Sequence, residues 1–228
     1  MFSWFGYPIP FEERLDLIKD AGFSVTGFWL GPDLWSESPI KRGVWIRTYS
    51  SYIDLCKRHS IPFLVMHVSQ SKGEQPGNPT EAGLVALEKL VKVASDSDVI
   101  IAVENTMQPV LLDLIFSHIK SSHLGLCYDT SHDSLYSLQP GGLLKRWGHR
   151  LRVTHLADND GFLDRHWLPG LGILSWKEIA SQWPMKTYKG SLILEVFSKD
   201  QEKESAPDFM ASAYLSIQWL HNLLQGEG

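Results

Sequence analysis

The chain has 228 residues, of which 43% are hydrophobic and 21% are charged, and it carries a net charge of −5 with no run of lysine or arginine. This acidic balance argues against a nucleic-acid partner, and no apolar stretch is long enough to span a bilayer. Two cysteines cannot form a disulfide framework, and the N-terminus lacks the positive segment of a signal peptide. We therefore expect a single cytoplasmic domain over residues 1–228, with its oligomeric state left open.

Short apolar runs recur along the whole chain. They are rich in Val, Ile, Leu and Phe, which is typical of strands buried on both faces of a parallel sheet. The predicted strands are Phe2–Phe5, Ser24–Leu30, Phe63–His67, Val99–Glu104, Gly125–Asp129, Leu151–His155 and Leu192–Glu195.

Segments with helical spacing lie between these runs. The first is carried by Phe11, Leu15 and Ile18, and a second covers roughly residues 44–59. A third contains Leu84, Leu87, Val91 and Ala94, with Thr80 as its predicted N-cap. The last one lies near the C-terminus and contains Met210, Ala213, Tyr214, Ile217, Leu220 and Leu224.

The alternation of strands and helices predicts an α/β fold with a parallel sheet covered by helices. An open doubly wound sheet would carry a glycine-rich fingerprint after its first strand, and residues 4–8 (WFGYP) offer none. We therefore predict a (β/α) TIM barrel. Seven strands are readable instead of eight, so either a short irregular strand lies between residues 31 and 60 or the barrel is incomplete.

Ionisable side chains close four of the predicted strands. Glu104, Asp129 and His155 end consecutive strands about one βα unit apart, and Glu195 ends the last strand. A parallel barrel brings these ends to one mouth, where three carboxylates would repel one another. A divalent cation would neutralise them together. Three oxygen ligands and one nitrogen suit Mn²⁺, Co²⁺, Mg²⁺ or Zn²⁺ without selecting sharply among them.

A second group of polar residues accompanies the first. Asp164 and His166 stand two residues apart, so in an extended loop they share one side. They could hold a second metal or clamp a polar substrate, or they could form only a local contact in a solvated loop. His132 follows Asp129 by three residues. His67 ends its strand and either faces the same mouth or is a hydrogen-bonded core histidine.

The chain resembles the xylose isomerase-like TIM-barrel superfamily, which contains sugar phosphate isomerases and epimerases and endonuclease IV. The resemblance extends over residues 99–196 and is carried by segments 102–105 (AVEN), 128–132 (YDTSH), 154–159 (THLADN), 164–172 (DRHWLPGLG) and 194–196 (LEV).

The resemblance implies a divalent metal on Glu104, Asp129, His155 and Glu195. In the isomerase and epimerase branch, Glu104 and Glu195 match the residues that move protons beside the carbonyl. His132 would contact substrate oxygens there. That branch often has an arginine six residues after the metal-binding histidine. Here the position is Gly161, so either Arg165 substitutes or the substrate differs.

In the endonuclease branch the resemblance implies three zinc ions, with His132, Asp164 and His166 on the third. That branch also needs two further histidines from earlier strands. His67 supplies one of them, and the sequence offers no strand-end partner before it.

These observations predict an enzyme, namely a metal-dependent isomerase or epimerase of a small sugar or sugar-like polyol carbonyl compound. Proton transfer between metal-bound glutamates and the substrate would carry the reaction. The alternatives are an endonuclease IV-like zinc phosphodiesterase on abasic DNA, a metal-dependent lyase or dehydratase on an inositol-like substrate, and a binding protein that has lost turnover.

Overall fold

A computed structural model of the chain describes Glu13, Asp16 and residues 34–68, 79–137, 139–198 and 204–226. The predicted strands at Phe2–Phe5 and Ser24–Leu30 lie outside the described residues, as do the apolar positions of the first predicted helix. Residues 34–60 contain one long helix and no strand, so the short irregular strand considered for this stretch does not occur there.

Four strands of the described residues form one parallel sheet in the order β1–β2–β3–β4. They are β1 (Phe63–His67), β2 (Ile100–Glu104), β3 (Leu124–Asp129) and β4 (Leu151–His155). Each agrees with a predicted strand to within one residue. The parallel α/β prediction is confirmed, because chain neighbours pair side by side with helices between them.

The segment predicted as the strand Leu192–Glu195 differs from the prediction. It forms an isolated parallel bridge between Leu194 and Leu156 instead of a continuous ladder. The side-chain hydroxyl of Thr154 takes the place of the missing ladder bonds, since it accepts from the backbone N–H of Ile193 at 2.9 Å. It also donates to the carbonyl of Ser191 at 3.4 Å. This segment therefore lies beside β4 without completing a strand.

Seven α-helices and one 3₁₀ turn connect and cover the strands of the described residues. The helix after Thr80 begins as predicted, with the Thr80 hydroxyl accepting from Gly83 N at 3.0 Å. The last helix also forms, but only Leu220 and Leu224 of its predicted apolar positions are buried. The helices are α1 (Pro39–Arg58), α2 (Glu81–Asp96), α3 (Val110–His118), α4 (Thr130–Tyr136), α5 (Gly142–Trp147), α6 (Trp176–Ser181) and α7 (Ala206–Gln225), with the 3₁₀ turn at Gly148–Arg150.

Alternation along the strands separates two apolar layers. One face of the sheet packs against the helices in a large core. The opposite face carries a separate small cluster in which one residue comes from each strand: Val65, Ala102, Cys127 and Val153. Two residues further along the same strands stand His67, Glu104, Asp129 and His155. These polar side chains therefore share the inner face and lie directly above the small cluster.

No helix in the described part of the chain is both long enough and apolar enough to cross a membrane.

Candidate metal and substrate site

Strand register brings the polar strand ends together. His67 pairs with Glu104 across β1 and β2, and Asp129 pairs with His155 across β3 and β4. Because the strands are parallel, their carboxyl ends meet at one edge. The structure thus brings the predicted residues of four different βα units to one place.

Two side chains fix this edge of the sheet. Each one forms hydrogen bonds with both the N–H and the carbonyl of a residue at the end of the neighbouring strand, an arrangement that we call an interstrand clamp. Asn105 donates from Nδ2 to the carbonyl of Asp129 and accepts at Oδ1 from Asp129 N, both at 2.8 Å. Thr130 does the same for Ala157, at 2.7 and 2.9 Å. All four residues are buried, so the clamps satisfy backbone groups that water cannot reach.

Glu104, Asp129, His155 and Glu195 form one candidate metal-ligand set, whose ligand atoms all lie within 4.8 Å of one another. His155 Nδ1 lies 3.1 Å from Glu104 Oε2 and 2.7 Å from Glu195 Oε2. Adjacent ligands of an octahedral cation at ~2.1 Å are about 3 Å apart, so these separations match a common coordination sphere.

Asp129 gives the strongest sign that a cation fits here. It caps α4 by accepting from His132 N at 2.6 Å through Oδ1. Its other oxygen, Oδ2, is buried and has no hydrogen-bond partner. Burial raises the pKa of Asp129 to about 7, and the negative charges of Glu104 and Glu195 act in the same direction. An unpaired buried carboxylate oxygen facing other carboxylates suits a cation, and the donor set agrees.

Histidines surround the carboxylate of Glu104. His67 Nε2 lies 3.1 Å from Oε2, and His132 Nδ1 lies 3.1 Å from Oε1. Glu104 is only 2% exposed, and burial alone would raise its pKa. The charges of His67 and His155 reverse that effect and hold the pKa of Glu104 well below its usual value. Glu104 is therefore an ionised carboxylate at neutral pH.

His132 and His155 face these carboxylates through ring nitrogens that make no hydrogen bond. Both Nδ1 atoms are buried without a partner in hydrogen-bond geometry, although carboxylate oxygens approach to about 3 Å. Burial by itself lowers the pKa of each ring. Asp129, Asp164 and Glu104 outweigh this effect for His132. Cys127 and Glu104 outweigh it for His155, so both pKa values lie well above 6.5.

Cys127 joins the site although the sequence analysis did not assign it a role. Its thiol belongs to a second possible ligand group with Glu104 and His155. The register explains this position, because Glu104 pairs with Cys127 across β2 and β3, whereas Asp129 lies two residues further along. The sequence contains one sign of this position. Cys127 and Asp129 are two residues apart, which puts both side chains on the same face of a strand.

A second polar cluster lies beside the first. Asp164 Oδ2 is 3.1 Å from His132 Nε2 and 3.0 Å from His166 Nε2. Ser131 donates to the other oxygen of Asp164 at 2.6 Å. His132, Asp164 and His166 are not among the possible metal-ligand groups found in the described part of the chain.

Asp164 and His166 meet within their loop, whose backbone turns sharply at His166. His166 adopts a left-handed backbone with φ 51°, which is uncommon for a residue with a side chain. This conformation turns its ring so that Nε2 reaches Asp164 while Nδ1 lies 3.0 Å from the carbonyl of Glu195. Arg165 is held by Asp160, with Nε 2.6 Å from Oδ2.

Asp158 is close in sequence to the ligand His155, but its side chain binds groups of the following loop. Its carboxylate is fully buried and accepts four hydrogen bonds, from Asn159 N, Gly170 N, Leu174 N and Trp176 Nε1 at 2.8–3.1 Å. A Cβ on Gly172 would lie 2.2 Å from Asp158 Oδ1, so the loop needs glycine to pass this carboxylate.

Comparison with protein families identifies the fold family. Residues 2–214 match the xylose isomerase-like TIM barrel family, and the chain belongs to it. The TIM-barrel prediction and the family resemblance are thereby confirmed.

Two curated relatives match about half of the chain. An uncharacterised protein, y4fM, of Sinorhizobium fredii is 36% identical over 111 residues, which are 48% of this chain and 34% of that protein. A D-psicose 3-epimerase of Enterocloster bolteae is 27% identical over 119 residues, which are 49% of this chain and 38% of that protein. The matched segments thus span less than two fifths of each relative.

Solved structures share the fold over most of the chain. The IolI protein, whose crystal structure contains a zinc atom, is similar with a TM-score of 0.76 and 16% identity over 92% of this chain and 84% of that chain. D-psicose 3-epimerase of Clostridium cellulolyticum H10, solved with D-tagatose, has a TM-score of 0.74 and 16% identity over 93% of this chain and 83% of that chain.

Proposed function

We propose that the protein is a divalent-metal-dependent isomerase or epimerase of a small sugar or sugar-like polyol carbonyl compound. One observation carries this proposal: Glu104, from the end of β2, and Glu195, from the segment beside β4, approach the same atom, His155 Nδ1. Two carboxylates within 4.8 Å at one barrel mouth can serve the two faces, or two adjacent carbons, of one substrate. The similarity to sugar epimerases supports the substrate class.

Glu104, Asp129, His155 and Glu195 would hold the cation. When bound, a divalent cation supplies Lewis acidity for the substrate carbonyl and a neighbouring hydroxyl. Mn²⁺, Co²⁺, Mg²⁺ and Zn²⁺ all suit this donor set.

The two glutamates would carry the protons. One carboxylate removes the proton from the carbon beside the carbonyl, and the other returns a proton to the opposite face or to the adjacent carbon. General acid–base steps of this kind contribute about 10²–10⁴-fold each. Glu104 is buried among histidines, whereas Glu195 is 15% exposed at its side chain and stands nearer to solvent.

The second polar cluster would position the substrate. His132, Asp164 and His166 present nitrogen and oxygen atoms beside the ligand set, and they can bind hydroxyl groups of a polyol. His67 lies against Glu104 and would fix the orientation of its carboxylate. We propose this role for the three residues in preference to a second metal, because they form a chain of ion pairs that already satisfies Asp164.

Exchange of substrate hydrogen with solvent deuterium tests the proposal directly. The metal-loaded protein is incubated with D-psicose, D-tagatose and other ketoses in D₂O, and deuterium at the carbons beside the carbonyl is followed by NMR. We expect exchange together with product formation. Glu195→Gln should reduce exchange at least about 100-fold, since it removes one proton-transferring group.

Glu178→Gln is the matched control, because Glu178 is an exposed glutamate of α6 away from the site. It should leave exchange unchanged. Product formation without any exchange would contradict proton transfer, and inactivity toward all sugars with metal bound would contradict the substrate class.

A further inference from the structure

A basic cavity opens at the opposite end of the barrel strands. It is shallow and open to solvent, has a volume of about 270 Å³, and is lined by Lys120, Ser121, Ser122, Leu124, His149, Arg150 and Arg152. These residues precede or begin β3 and β4, whereas the candidate metal ligands end them. The two sites are thus separated by roughly the length of a strand, about 13 Å from Gly125 to Asp129.

A β-bulge aims Arg152 at this cavity. Leu126 pairs with Leu151 while Cys127 pairs with Val153, so Arg152 is an extra residue in β4. A bulge of this kind redirects a side chain. The partner strand has glycine at the point of contact, since a Cβ on Gly125 would lie 2.3 Å from Arg152 Cγ. The bulge and the glycine together make room for this arginine.

Arg150 is held in position beside it. Its Nη1 donates to the carbonyls of Ser121 and Leu124 at 3.4 and 3.3 Å, and its guanidinium lies 5.2 Å from the ring centre of Phe116. These contacts restrict the side chain and leave its Nε and Nη2 without a hydrogen-bond partner among the described residues. A restricted guanidinium binds an oxyanion at a lower entropic cost than a free one.

The positive charges of the cavity are not neutralised by the described residues. Lys120, Arg150 and Arg152 form no ion pair with any described carboxylate, and Asp98 pairs with His123 at 3.7 Å instead. Burial and the charge of Arg152 lower the pKa of Arg150. Like charges gathered in one cavity of a chain with net charge −5 repel each other unless an anion joins them.

We propose that this cavity binds a phosphate group, present as free phosphate or as a small phosphate monoester. Two planar guanidiniums and an ammonium group match an anion of charge near −2 that offers three or more oxygens. The serine hydroxyls at the rim supply further donors. The volume is near the lower end for small-molecule sites, about 300 Å³, which fits a phosphate with a short organic group. The inference does not depend on the proposed function.

Titration calorimetry of inorganic phosphate into the whole 228-residue chain, at constant ionic strength and with chelator present, tests the proposal. The chelator prevents phosphate from binding through a metal. We expect saturable binding of one phosphate per chain. Arg152→Gln should weaken it about tenfold or more, and the exposed Lys120→Gln about threefold. Arg47→Gln, which removes an exposed arginine of α1, should change nothing.

Methyl phosphate distinguishes the two sources of the group. Binding of both probes supports a monoester site, and binding of inorganic phosphate alone supports a site for the free ion. Absence of saturation by about 10 mM, or equal affinity in all four proteins, overturns the proposal. If Arg152→Gln fails to fold, Lys120→Gln still decides the outcome, because its side chain is exposed.

Discussion

Asp129 uses its two carboxylate oxygens for different purposes. Oδ1 caps α4 through the backbone N–H of His132, and Oδ2 faces the candidate cation position without another partner. A single residue thus links the start of a helix to the ligand set. The cap fixes the direction of the free oxygen, which explains why aspartate, with one fewer methylene than glutamate, suits this strand end.

Asp129→Asn separates these two functions. The amide keeps an oxygen for the cap but removes the negative charge, so we expect a metal affinity at least about 100-fold lower with little change in the fold. Calorimetric titration with Mn²⁺ and Zn²⁺ measures it. Asp54→Asn, at an exposed position of α1, is the control for loss of charge. Equal affinities in the two variants would remove Asp129 from the ligand set.

Asp158 illustrates a buried carboxylate with a structural role. Because it accepts four hydrogen bonds, Asp158→Asn would turn amide hydrogens toward backbone donors and lose about two of those bonds. Hydrogen bonds to charged groups contribute about 1.5–3 kcal/mol each, so losing two of them should lower the free energy of unfolding by about 3–6 kcal/mol. Urea denaturation measures this loss. An unchanged midpoint would show that the loop does not depend on this carboxylate.

At the scale of elements, the clamps replace the ladder where the strands end. The last ladder pair between β2 and β3 joins Glu104 to Cys127. Beyond that pair, Asn105 supplies both hydrogen bonds that hold Asp129. The Asn105 side chain thus continues the connection between β2 and β3 where the backbone pairing stops, which fixes the position of Asp129.

Asn105→Ala should therefore loosen the β3 end. It leaves the buried N–H and carbonyl of Asp129 without partners, which costs about 2–4 kcal/mol of unfolding free energy. For a chain of this size the melting temperature should fall by roughly 5–15 °C. Metal affinity should fall by about 10–100-fold, as for other residues that orient ligands. Asn222→Ala, which removes an exposed asparagine of α7, is the control in a thermal melt. A fall in melting temperature that is smaller for Asn105→Ala than for Asn222→Ala would contradict the clamp.

At the scale of the whole molecule, the candidate ligands join distant parts of the chain. Glu104 and Glu195 are 91 residues apart and belong to different βα units. A cation held by both would connect segments that the described sheet does not join by a continuous ladder. Binding energy at such a site adds to the stability of the fold.

Saturation with a divalent metal should accordingly raise the melting temperature. At 100 times the dissociation constant the gain is about 2.7 kcal/mol, which corresponds to a shift of roughly 5–11 °C for a chain of this size. Differential scanning calorimetry measures the shift, and a chelator should reverse it. Asp129→Asn should show almost none of it. A metal that binds in the calorimetric titration without any shift would place its site outside the folded barrel.

The sequence by itself determined the alternation of strands and helices and the strand ends that carry ionisable groups. β1 to β4 form where the apolar runs predict strands, because a strand buried on both faces has to be apolar along its length. Glu104, Asp129 and His155 end such runs at intervals of one βα unit. Parallel topology then requires them to meet, so their proximity followed from spacing alone.

Only the tertiary structure decided how the strands are staggered. The register across β2 and β3 brings Cys127 level with Glu104, and the bulge in β4 turns Arg152 toward the opposite end of the barrel. The tertiary structure also decided the different roles of two aspartates. Asp158 binds its own loop, whereas Asp164 contacts two histidines. Stagger and bulges arise from the closure of strands against their neighbours and leave no local pattern in the chain. Contacts that depend on them therefore appear only in three dimensions.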